Sequence, residues 1–304
     1  MTATMTPAMP VRPDQMIGSS ILENDAPAYS PTATYAVGDR VTHDKRVFIA
    51  LADGLAGKTP VAGPDWADAG AINRYRAFDA SQLASEGQGS LWWDFRVKER
   101  VQRVALIAPR CSTIRLRIWS AGGESLVDRT EVVADLSIIL DWTDLFTFTG
   151  RDRRMIVFDG LLVLPGARMR IDLSGVGTVS VREIVAGSVV PIGIATYDGT
   201  GSEPITLTVV NRDQDFDTVR VVKRVFYRKV TIECWVEKAH LARVQNEMLR
   251  NAGRPALFLV GEEDYDDLLG LVGFGSAPRA MLKGPAGSFM TIEVEEMGQS
   301  YAVE

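Results

Sequence analysis

Two histidines and two cysteines in 304 residues leave this chain poorly supplied for site chemistry. Neither His43 nor His240 has a Cys, an Asp or a second His at metal-ligand spacing. A Ser-His-Asp or Cys-His arrangement therefore has little to draw on. No catalytic residue, metal ligand or cofactor site is assigned, and an enzyme is not expected. Cys111 and Cys234 lie far apart, so a disulfide framework is not expected and both read as small buried hydrophobes. No stretch approaches the roughly 20 apolar residues of a membrane span. The N-terminus shows no basic region followed by an apolar core, as a secretory signal would. The expectation is a soluble chain made in a reducing cytoplasm. Positive charge is also short: 33 basic against 39 acidic residues give a net charge of -6. That argues against a nucleic-acid binder working by phosphate neutralisation. Arginines do cluster at Arg151, Arg153 and Arg154, and from Arg220 to Lys229. The plain reading is solvated or salt-bridged surface; the sharper one is a basic patch meeting an acidic neighbour subunit.

Two stretches imitate sites. Gly54-Leu55-Ala56-Gly57-Lys58-Thr59 has the look of a phosphate loop, but the first glycine would have to stand at position 52, which is Ala52. Pro60 then follows where the helix should continue. Glu262-Glu263-Asp264-Tyr265-Asp266-Asp267 is the densest acidic run. A calcium loop spaces its ligands at alternate positions around a turning glycine. This run does neither, and reads as a solvated loop after a strand.

What is present is β texture in series. Residues 1–31 are rich in Pro, Ala, Thr and Met with little periodicity. They read as an arm that orders against a partner, with Met16 to Leu22 able to add a strand to a sheet elsewhere. Residues 32–79 read as a small β module, with strands around Arg40-Val41 and Val47 to Leu51. Its aromatics Tyr35, Phe48 and Trp66 must carry the packing, because so small a domain has little core.

Residues 80–191 read as a β-sandwich of jelly-roll type. Ile114 to Ile118 and Met169 to Leu173 alternate strictly, as half-buried strands do. Further strands are expected at Val104 to Ile107, Met155 to Phe158, Leu161 to Leu164 and Val179 to Ile184. Trp92, Trp93 and Phe95 form an aromatic cluster, read as core or interface packing or as a sugar platform. Residues 192–304 read as an antiparallel β domain with one inserted helix. Val230, Ile232, Cys234 and Val236 share one strand face. A helix is expected from Ala239 to Asn251, with Leu241, Val244, Met248 and Leu249 as its apolar stripe. Gly253 ends it and Pro255 prevents its continuation.

The elements Tyr35-Ala36-Val37-Gly38-Asp39-Arg40-Val41, Val47 to Leu51 and Pro64-Asp65-Trp66 resemble the small chitin-binding type of carbohydrate-binding module. By that resemblance Tyr35 and Trp66 occupy the sugar-binding positions. Gly70-Ala71-Ile72-Asn73-Arg74-Tyr75-Arg76-Ala77-Phe78-Asp79 resembles a sequence in tail proteins of long-tailed, siphovirus-like bacteriophages, where such a module leads into a larger β-rich chain. Pro165 to Ile171 looks like the penultimate strand of galactose-binding-like jelly rolls. Two long strands, a helix and a returning set of strands resemble the tail-tube-like fold of phage tail tube and distal tail proteins.

The resemblance implies a mainly β, multidomain virion structural protein at the tail tip or baseplate. Its partners would be itself, in a ring, and other tail proteins. The helix's polar face offers Arg243 and Arg250 as assembly contacts. The alternatives are a carbohydrate-binding, receptor-recognition accessory protein acting on a host surface glycan, and a glycan-degrading enzyme with a binding module. Neither nucleic-acid binding nor membrane insertion is expected.

Overall fold

A computed structural model describes the chain apart from residues 81–82, 135–140, 148–152, 207–208, 213–218, 223–225, 262–265, 277–278, 283–285 and 298–304. In chain order, β1 (Thr2–Pro7) and β2 (Met16–Ser19) come first. A small group follows: β3 (Thr34–Tyr35), β4 (Arg40–His43), β5 (Arg46–Ala50), β6 (Leu55–Ala56), β7 (Trp66–Ala71) and the one-turn helix α1 (Asn73–Arg76). Next are β8 (Ser85–Arg96), β9 (Arg103–Ile107), β10 (Thr113–Trp119), β11 (Ser125–Val132), helix α2 (Trp142–Thr147), β12 (Met155–Phe158), β13 (Arg168–Val181) and β14 (Glu183–Gly187). The last third holds β15 (Val190–Ala195), β16 (Gly201–Thr206), β17 (Val209–Arg212), β18 (Val219–Val222), β19 (Phe226–Glu237) and helix α3 (Lys238–Arg250). It ends with β20 (Ala256–Val260), α4 (Asp266–Leu269), β21 (Leu271–Gly275), β22 (Arg279–Leu282) and β23 (Gly287–Glu296). The fold is mainly β and multidomain.

Two compact units result. One comprises Met9–Ile184; the other joins Met1–Ala8 to Val185–Glu304. The small module and the sandwich therefore group together, and the C-terminal unit begins at Val185 rather than at residue 192.

In the first unit, β11-β10-β13-β8-β2 form a five-stranded sheet and β12-β9-β14 a three-stranded one. The alternation in the sequence sets the faces. Ile114, Leu116 and Ile118 on β10, Met169, Ile171 and Leu173 on β13, and Leu91, Trp93 and Phe95 on β8 are all buried. The intervening residues are polar or amphipathic. β2 pairs with β8, so the stretch beginning at Met16 does add a strand. The apolar run Leu161 to Leu164 forms no strand. Val163 alone makes a bridge, to Val101, while Leu162 and Leu164 are exposed. Pro165 and Gly166 turn the chain immediately afterwards.

In the second unit, β19, β15, β1, β20, β21 and β23 pair in that order, and β19 pairs with β23 to close the ring. All these pairings are antiparallel. β16 and β22 extend the sheet beside β19 and β23. Ala3, Met5, Ile192, Val230, Ile232, Cys234, Val236, Phe258, Val260, Met290, Ile292 and Val294 belong to one buried core. Closure removes the unpaired edges that an open sheet would present. Arg228 adds an internal tie. Its backbone N–H donates to Glu296 Oε2 at 3.1 Å, and its guanidinium donates to the carbonyls of Leu268 and Gly270.

The expectation that residues 1–31 form an arm is overturned at its start. β1 lies between β15 and β20, with Ala3 and Met5 in the core. Thr2–Pro7 has too little apolar surface to announce a strand by itself; its partners supply the pairing and the burial. The helix is corrected in one residue. α3 lays Val244 and Met248 into the core with Leu241 at its margin, but Leu249 is 53% exposed. At 3.6 residues per turn, Leu249 lies roughly 100° round the helix from the centre of that stripe.

Deleting residues 1–8 should open the barrel. Amide hydrogen exchange is expected to lose protection across β15 and β20 while β8, β10 and β13 keep theirs. Full protection of β20 in the truncated chain would contradict this. In the intact protein, Met248→Ala should cost about 2–5 kcal/mol in urea unfolding. Leu249→Ala should cost about 0.5 kcal/mol or less. Equal losses would mean that α3 is rotated from the orientation described.

Candidate functional site

The module's aromatics come together as the sequence implied, but as a core. Trp66 is 1% exposed and packs with Val41, Phe48, Ala50 and Leu55. Tyr35 is half-buried and meets Trp66 edge-on, with ring centroids 5.4 Å apart. Tyr29, which sequence reasoning did not single out, stacks on Tyr35 at 5.7 Å and touches His43 edge-on at 5.6 Å. The Tyr35 hydroxyl is used locally: it donates to the Ser30 carbonyl at 3.2 Å and accepts from the Ser30 N–H at 2.7 Å. Trp66 thus has no open indole face for a sugar to stack on.

Asn73 to Asp79, at the end of the module, form a joint with the sandwich. The Asn73 side chain donates to the Glu86 carbonyl and accepts from the Glu86 N–H, both at 2.8 Å. Trp93 Nε1 donates to the Arg74 carbonyl at 2.8 Å. Arg74 donates to the Ile21 carbonyl and pairs with Glu23, while Arg76 pairs with Asp25 at 2.8 Å. Tyr75 and Ala77 are buried. Phe78 packs edge-on against Trp93 and Phe95. Asp79 closes the stretch by pairing with Arg46 at 2.8 Å. Every residue of this segment has a structural task, so its distinctive pattern follows from holding one β unit onto the next.

The outward face of the five-stranded sheet carries the densest chemistry among the described residues. Strand register arranges it in rows. Arg96, Arg168 and Trp119 stand side by side on β8, β13 and β10. Beside them run Asp94, Arg170, Arg117 and Asp128, then Trp92, Asp172, Arg115 and Thr130. Ion pairs cross the rows: Arg115 with Asp128 at 2.6 Å, Arg117 with Asp172 at 2.8 Å, Arg170 with Asp172 at 2.9 Å. Arg168 Nε donates to Asp94 at 2.8 Å. The Arg170 guanidinium sits 4.2 Å from the centre of the Trp92 ring, and Arg168 sits 5.1 Å from that of Trp119. Trp92 passes across Gly18 of β2, where a Cβ would lie 3.3 Å from its ring. The signal was in the sequence: the outward positions of the two strictly alternating strands are Arg115, Arg117, Arg170 and Asp172, all charged.

The helix contacts proposed from sequence, Arg243 and Arg250, are exposed on α3; Arg250 pairs with Glu247 at 3.0 Å. His240 lies 3.9 Å from Glu237 on the surface. Residues 262–265 of the acidic run, and Arg151, lie outside the described residues. Among the described residues no group of three or more His, Cys, Asp or Glu could hold a metal ion, and no helix is long and apolar enough to cross a membrane. Neither cysteine is in a disulfide; Cys111 is half-exposed and Cys234 buried. Burial pushes the Cys234 thiol up to about 12, with the Glu233 carboxylate adding to the effect.

Glu183 is 2% exposed, and burial pushes its carboxyl up to about 7 against the lowering pull of Arg182. The folded chain therefore holds this proton more tightly than the unfolded chain. Its contribution is fully present below the ordinary carboxyl range and is lost as pH rises through about 7. Glu183→Gln should remove that term. Relative to the variant, the wild type is expected to lose about 3 kcal/mol between pH 4 and 8, read from urea unfolding. A constant difference would contradict the assignment. No family model matches the chain, and neither a curated protein nor a solved structure matches it.

Proposed function

We propose that the chain is a virion structural protein of the tail tip or baseplate of a long-tailed bacteriophage, its C-terminal unit taking part in a ring. The observation that carries this reading is the closed antiparallel barrel with helix α3 inserted between β19 and β20. That order of long strand, helix and returning strands is the one resembling tail tube and distal tail proteins. The module and sandwich, joined through Asn73 to Asp79, suit a chain that braces or projects rather than one that turns over substrate. The polar side of α3, with Arg243 and Arg250 exposed, is the contact assigned to neighbouring subunits. Exposed surface arginines add little to monomer stability but can decide association through electrostatic complementarity.

The test is native mass spectrometry with negative-stain imaging of the purified chain, alone and with its neighbouring tail proteins. A closed ring is expected. Arg243→Glu combined with Arg250→Glu should weaken assembly at least about tenfold (roughly 1.4 kcal/mol) while the monomer's melting temperature holds. A wild-type chain that stays monomeric at all concentrations and binds no tail protein would overturn the proposal.

A further inference from the structure

We infer that the outward face of the five-stranded sheet binds an anionic polysaccharide, with Arg96 and Arg168 taking the sugar's acidic group and Trp119 its ring. This does not rest on the tail-protein reading, and it moves glycan recognition away from the module, whose Trp66 is core.

The end row of the sheet carries the argument. Arg96 and Arg168 are directly opposite each other on neighbouring strands, and both are exposed. Like charges facing across a strand pair are destabilising, and the Asp94 carboxylate offsets only one of the two. Arg168 has Asp94; among the described residues no carboxylate pairs with Arg96. The face sets five arginines against three aspartates and Glu86, whereas the chain's net charge is -6. An anion between Arg96 and Arg168 would be held by charge-assisted, planar donors.

Trp119 completes the row on the other side of Arg168 and is half-exposed. Its indole is pre-set by Arg168, 5.1 Å from the ring centre, and Arg117, at 5.7 Å. A ligand stacked there binds a surface whose side chains are already ordered, which reduces the entropy lost on binding.

The aspartates decide between a glycan and an acidic peptide. Asp128, exposed at the end of the next row, accepts hydrogen bonds only, while Asp94 is buried beneath Arg168. Sugar hydroxyls can donate to such a carboxylate, whereas a run of acidic side chains would be repelled by it. A face mixing donors, acceptors and an aromatic plane fits a ligand carrying hydroxyls and an anion together.

The test titrates the full chain with polygalacturonate, following tryptophan fluorescence and calorimetry. Neutral dextran of matched length and polyglutamate serve as comparisons. Saturable, salt-sensitive binding of polygalacturonate alone is expected. Arg96→Gln should weaken it at least about tenfold (roughly 1.4 kcal/mol) with the melting temperature unchanged, and Trp119→Leu should abolish the fluorescence response. Tyr35→Phe should leave binding intact. The inference is overturned if polygalacturonate does not bind, if dextran binds equally, if polyglutamate binds as tightly, or if Arg96→Gln has no effect.

Discussion

The pairing of β1 between β15 and β20 is the constraint on which the C-terminal unit depends. Six residues from the start of the chain supply the strand that completes a barrel otherwise built after residue 185. Without it, β15 and β20 would each present an edge, and the cavity filled by Ala3 and Met5 would open. The folding consequence is direct. The barrel can close only by bringing together segments from opposite ends of the sequence, so its formation carries a large loop-closure cost.

Much of the sandwich and the barrel wall was legible because strands buried on one face must alternate. Ile114 to Ile118, Met169 to Leu173 and the set Val230, Ile232, Cys234 and Val236 all place their apolar members inward. What could not be read was whatever tertiary partners decide. β1 has no strong strand signature, and its burial comes from residues remote in sequence. Leu161 to Leu164 has strand-like composition, but only Val163 finds a partner. Leu249 fits a loose helical stripe, yet the core it would join ends at Met248.

The candidate sites were legible in a different sense. Sequence resemblance drew attention to Tyr35 and Trp66, and the structure uses those rings to build a small core of the kind a small β module needs. The segment from Asn73 to Asp79 is distinctive because each side chain grips a neighbouring element. The face with the richest recognition chemistry was hidden in plain alternation. In the sequence the arginines on β10 and β13 are only the polar members of alternating strands; the register shows that they form rows with Trp92, Trp119 and the aspartates. Tail-tip assembly and glycan binding are separate proposals that use different units of the chain.

The most direct test of the barrel account is a cysteine pair at Thr4 and Leu259, which stand opposite each other in the β1–β20 ladder. Directly opposed strand residues lie within the roughly 4.4–6.8 Å Cα separation that a disulfide accepts. Thr4→Cys with Leu259→Cys, in a chain whose Cys111 is replaced by Ser, should oxidise rapidly to an intrachain crosslink on a monomer that unfolds at higher denaturant concentration. Free thiols after mild oxidation, or crosslinks found only between chains, would contradict the placement of the N-terminal strand in its own barrel.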